Sequence, residues 1–122
     1  MSALSDTEEN AVLDSLLGTV YLALHTADPT DVTATAAANE LTEAGYARQL
    51  IAFDLAASGS ASNSDLETFT AGENWPEVTH WSLWSAVSGG SMKLHGSFTT
   101  AKTAGNGDSL TVAAGDITIT AA

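Results

Sequence analysis

The residues best able to do chemistry in this chain are His80 and His95, two of its 3 histidines. Both fall in the stretch VTHWSLWSAVSGGSMKLHGSFTT, Val78 to Thr100, together with two of the 3 tryptophans. If strands flank its Ser-Gly-Gly-Ser turn, His80 and His95 sit on neighbouring strands. With Glu77 or Asp108 they would offer imidazole and carboxylate ligands suited to zinc. A third ligand is not visible in the sequence, and the preferred reading is two polar residues on a half-exposed sheet face, or a buried histidine bonded to backbone. Serine, histidine and aspartate are plentiful enough to suggest a hydrolase triad, but no G-x-S-x-G nucleophile turn exists. The glycine turns SGGS and GNGD do not precede a helix that could receive a phosphate. Glu8 and Glu9 read as a solvated helix face, and Asp28–Asp31 (DPTD) lacks the spacing of a calcium loop. The expectation is therefore no catalytic residue, no metal and no cofactor: not an enzyme.

Composition narrows the partners. The chain has 122 residues, 44% of them hydrophobic, which suits one globular domain. Its 15 Asp+Glu against 3 Lys+Arg give a formal charge of −12. A field of that sign repels phosphate backbones, because nucleic-acid binding rests on cationic neutralisation. No nucleic-acid partner is expected. The chain has no cysteine, so disulfides and thiolate chemistry are excluded and stability must come from packing or assembly. The opening MSALSDTEEN lacks the basic start and apolar run of a secretory signal. No apolar stretch is long enough to cross a bilayer as a helix. The expectation is a soluble chain made in the cytoplasm, without a membrane partner.

Periodicity supplies the elements that would position these residues. SDTE has capping-box spacing, with Ser5 able to accept from the Glu8 amide. Val12, Leu13, Leu16 and Leu17 then recur at helical spacing up to the Gly18 stop. From Thr19 the period becomes two: Val20, Leu22 and Leu24 face one way, Tyr21, Ala23 and His25 the other. Val32 to Gly45 reads as an exposed loop. Tyr46 to Leu55 reads as a strand with Ile51, Phe53 and Leu55 inward, and AASGSASNSD as a connection without packing content. LETFTA is a short strand carrying Leu66 or Phe69 inward, and GENWPE a turn around Pro76. A hairpin follows, Val78–Val87 against Met92–Thr100, then SLTVAA and DITIT. The fold expected is mainly β, an antiparallel β-sandwich of jelly-roll type with a short N-terminal helix. It divides into a helical arm, residues 1–18, and a β-sandwich, residues 19–122, within one domain.

A helix of about a dozen residues is marginal alone in water, so its leucine face must dock, on the sheet or on a neighbouring subunit. Trp81 and Trp84 fall on opposite faces of a regular strand, which leaves one of them for a partner or for a second covering layer. Tryptophan is enriched at interface hot spots. The candidate contact residues are Leu13, Leu16, Leu17, Trp75 and Trp81.

The ordered series NAVLDSLLG, VYLALHTADPTD, GYARQ with AFDLA, WPEVTHWSLWSA, GSFTTAKT and GDSLTVAAGDI resembles small virion proteins of tailed bacteriophages that commonly carry the label tail fibre. LHTADPT followed by GYARQ is the most distinctive pair. The resemblance implies a virion structural protein without established catalytic residues. The absence of shaft repeats, with an acidic surface ill suited to face packaged DNA, favours a capsid decoration protein on the outer head surface. Its expected partners are the major capsid protein and further copies of itself, a trimer being the preferred closed ring. The alternative is a tail fibre or tail-tip protein that binds host surface structures.

Overall fold

The computed structural model describes residues 5–29 and 39–120. The loop expected from Val32 onward, and the second half of the DPTD turn, lie largely outside them. The order is one helix followed by eight strands: α1 (Asp6–Leu16), β1 (Val20–His25), β2 (Gln49–Ile51), β3 (Ser60–Ser62), β4 (Glu67–Thr70), β5 (Trp75–Trp84), β6 (Met92–Ala104), β7 (Ser109–Val112) and β8 (Thr118–Thr120). One sheet runs β2-β1-β5-β6, and β3-β8 and β4-β7 form two further ribbons. Every pairing is antiparallel. The protein is mainly β and sandwich-like, with one short helix. One apolar core joins Val20, Leu22, Leu24 and Leu83 of the sheet to Phe69, Leu110, Val112 and Ile119 of the ribbons.

The helix begins where the sequence places it. The Ser5 hydroxyl accepts from the Glu8 amide at 3.3 Å. Leu13 and Leu17 are buried in the main core and Leu16 packs against it, so the leucine face docks within its own chain. Burying such a side chain stabilises by about 2 kcal/mol. Polar residues fix the helix position. Asn10 Oδ1 accepts the Gly59 amide at 2.9 Å and Asp14 Oδ1 the Ala56 amide at 2.8 Å. These two positions lie one turn apart on the helix, and together they tie it to the segment before β3.

Several expectations need correction. The strand read over Tyr46–Leu55 survives only as β2, because the chain then leaves the sheet to pair with residues further on. Asp54 donates to the Ser62 carbonyl and Ser64 to the Ala52 carbonyl, both at 3.0 Å. Ile51 is buried as expected, Phe53 is half-buried, and Leu55 is 83% exposed instead of inward. The supposed connection AASGSASNSD contains β3, whose short polar side chains hid it from a hydrophobic pattern. Phe69, not Leu66, is the inward residue of β4. GENWPE is not wholly a turn, since Trp75 and Pro76 already belong to β5.

The central hairpin is less regular than its alternation suggests. Register shifts fall between Trp75 and Val78, Val78 and His80, and Leu83 and Trp84. Val78 and Trp81, three residues apart, consequently share the main core. Met92 joins Trp84 and Ala23 in a second, smaller cluster, away from its expected neighbours Leu94 and Phe98.

Asn63 holds the ribbons in register. It is 1% exposed. Its Oδ1 accepts from the Gly115 and Ile117 amides, and its Nδ2 donates to the Asp65 and Ala113 carbonyls. The Gly115 amide and the Ala113 carbonyl each have a second, backbone partner, so removing this side chain chiefly strands the Ile117 amide and the Asp65 carbonyl. Asn63→Ala is expected to lower stability by about 3 kcal/mol. A urea titration should show an earlier midpoint at unchanged slope.

Candidate functional site

All three histidines lie on one face of the four-stranded sheet. The register pairs His25 with His80, Ala23 with Ser82, and Tyr21 with Trp84. Ser82 pairs in turn with His95, and His80 with Ser97. Paired residues of an antiparallel ladder share a face. The sequence brought His80 and His95 onto one hairpin, and the tertiary fold adds His25 from β1.

His25 and Ser82 are both completely buried, with 2.6 Å between Nε2 and Oγ. The Trp84 indole N–H donates to the same Oγ at 2.6 Å. This is the geometry of a nucleophile and its base, but solvent does not reach it and the serine oxygen already serves the indole. His80 Nδ1 lies 2.8 Å from the Thr79 hydroxyl. His95 Nδ1 lies 3.7 Å from Asp28 Oδ1, an ion pair only when the ring is protonated. Among the described residues no three His, Asp or Glu side chains gather where they could hold a metal ion.

Beside the histidines lies a network absent from the sequence reading. The only arginine, Arg48, is buried with its guanidinium carbon 3.9 Å from the centroid of the Trp84 ring. It donates to Glu40 through Nε at 2.9 Å and Nη2 at 3.0 Å. Its Nη1 reaches the Ala86 and Gly89 carbonyls at 3.1 and 2.8 Å, closing the β5–β6 turn. Glu40, which bridges to His25 at the end of β1, also accepts from the Tyr46 hydroxyl. That hydroxyl in turn accepts the Leu24 amide at 3.2 Å. Burial holds the Tyr46 phenol well above its ordinary value, and the bond to Glu40 and that carboxylate's charge push the same way. The signal available in the sequence was a lone arginine within GYARQ, a stretch whose Tyr46 and Arg48 fold onto the end of VYLALHT.

The five proposed contact residues are placed in or against the core. Leu13, Leu17, Trp75 and Trp81 are between 2% and 6% exposed, and Leu16 is half-buried. Trp75 donates its indole N–H to the Ala44 carbonyl at 3.0 Å and meets Tyr46 edge-on. Trp81 lies so close to Gly96 that a Cβ there would stand 2.6 Å from its ring. Trp84, the residue expected to be left over if Trp81 is core, is covered by Arg48. All three tryptophan rings are buried among the described residues.

The result is a small β protein in which His25 and Ser82, and Glu40, Tyr46 and Arg48, are bonded together in or near the interior, while His80 and His95 stay partly exposed. The family described as podophage GP4 fiber I protein gp80 matches residues 3–120. The chain belongs to that family, and is a phage virion protein of the tail-fibre type. No curated protein matches the chain.

Removing one partner of a buried ion pair strands the other. Glu40→Gln is expected to cost about 3 kcal/mol, and the double variant Glu40→Gln with Arg48→Met less than the single one. Thermal and urea unfolding of both proteins would measure this. Tyr46 gives a pH test. A phenol raised in the folded state contributes stability that is complete below its unfolded value of about 10 and is lost as pH climbs above that. The folded chain should therefore lose stability above about pH 10, and Tyr46→Phe should lose less. The Tyr46 share of the tyrosinate absorbance should appear only with unfolding.

Proposed function

We propose that this protein is a non-catalytic structural component of a podophage tail fibre, acting as a compact folded unit and not as a repetitive shaft. The observation that carries the reading is the fibre family's match to residues 3–120, nearly the whole chain. The buried bonding supports it. His25, Ser82, Glu40, Tyr46 and Arg48 are engaged with one another and with backbone, which suits a scaffold better than a reaction site. The charge of −12 fits an outward-facing particle component and argues against a nucleic-acid partner. The family description favours the tail over the outer head surface, so the fibre reading replaces capsid decoration as the leading one.

Electron microscopy of whole particles carrying an antibody label against this chain tests the assignment. Label on the tail appendages is the expected result. Label spread evenly over the head would restore the capsid-decoration reading and overturn this one.

A further inference from the structure

Leu55 is the most exposed large apolar residue of the described chain, at 83%. Scattered apolar residues on a surface need no explanation, but this one stands at the edge of a groove. The groove has a volume of about 170 Å³ and runs between the end of α1 and the segment after β2. Leu17 and Phe53 give it an apolar lining, and Asp14 and Asp54 put two carboxylates on its rim. A cavity of ~150 Å³ lined by aliphatic and aromatic side chains accommodates a benzene ring. The groove therefore has room for one aliphatic or aromatic side chain.

Charge decides what kind of chain would supply it. A second copy would bring a net charge of −12 to an acidic rim. It would also have little cation to offer, since carboxylates already hold two of its 3 Lys+Arg. Arg48 is bonded to Glu40, Lys102 to Asp116, and Lys93 to the Leu16 carbonyl at the helix end. The complementary occupant is a segment of a different protein that carries a large apolar side chain next to lysine or arginine. We propose that the groove between α1 and Ala52–Leu55 is the docking site for such a basic, apolar-anchored segment. The inference does not depend on whether the particle position is fibre or head.

A blocked hexapeptide with two leucines between paired lysines is a suitable probe, titrated into the full isotope-labelled chain and followed by amide NMR shifts. Saturable shifts centred on residues 14–18 and 52–55 are expected. Leu55→Ser and Asp54→Asn should each weaken binding about fivefold to tenfold at an unchanged unfolding midpoint. Added salt should weaken binding further, and glutamate in place of lysine should abolish it. Three results would overturn the proposal. One is no saturable shift. Another is shifts spread over the acidic surface and indifferent to Leu55→Ser, which would mean bulk attraction only. The third is shifts at the groove that grow with protein concentration without peptide, which would make a second copy the occupant. Localisation on the particle is read separately by the antibody label, so either conclusion can fail without the other.

Discussion

The second half of β5 is buried on both faces, and the other elements are arranged to cover it. Trp81, Ser82, Leu83 and Trp84 are consecutive and all buried. A strand with an apolar residue on each face must be covered twice. The main core covers one face with the two ribbons and the helix. The other face has no second sheet among the described residues, and a different solution appears there.

That solution is one buried cation. Arg48 lies flat on Trp84, a favourable contact between a guanidinium and an indole. Its donors reach Glu40 and two turn carbonyls, so the charge is matched where it is desolvated. Lysine could not repeat the arrangement, since a point charge has neither the planar stack nor the fork. In a chain with only 3 Lys+Arg, one is placed inside, and Glu40 goes in with it, so the net charge left on the surface is unchanged.

Polar side chains perform much of the positioning elsewhere. Asn63 organises the ribbons, and Asn10 with Asp14 orients the helix. In each case a side chain completes backbone groups that no strand partner reaches. Small ribbons of three or four residues bury too little apolar surface to fix their own register. Specific hydrogen bonds make up the difference, and the same reasoning explains why β3 could be built from Ser60, Ala61 and Ser62.

Elements with strong local signals are legible from residue order alone: the helix from its cap and leucine spacing, β1 from its alternation, the central hairpin from the Gly-Gly turn. The sequence also determined the excess of acid and, through LHTADPT and GYARQ, the kind of protein. These follow from neighbours a few residues apart, where period and turn chemistry act directly. Which large residues are covered, and by what, was settled by packing between distant parts of the chain. Trp75 and Trp81 became core because bulges in β5 and the approach of Gly96 and Ala44 enclosed them. Leu55 was turned outward because residues 52–56 pair with the segment around β3 instead of extending β2. Glu40, Tyr46 and Arg48 were joined to His25 by contacts between distant stretches of chain. Hydrophobic pattern records a preference for burial, but the partner that satisfies it can lie anywhere along the chain, and that choice is made by packing.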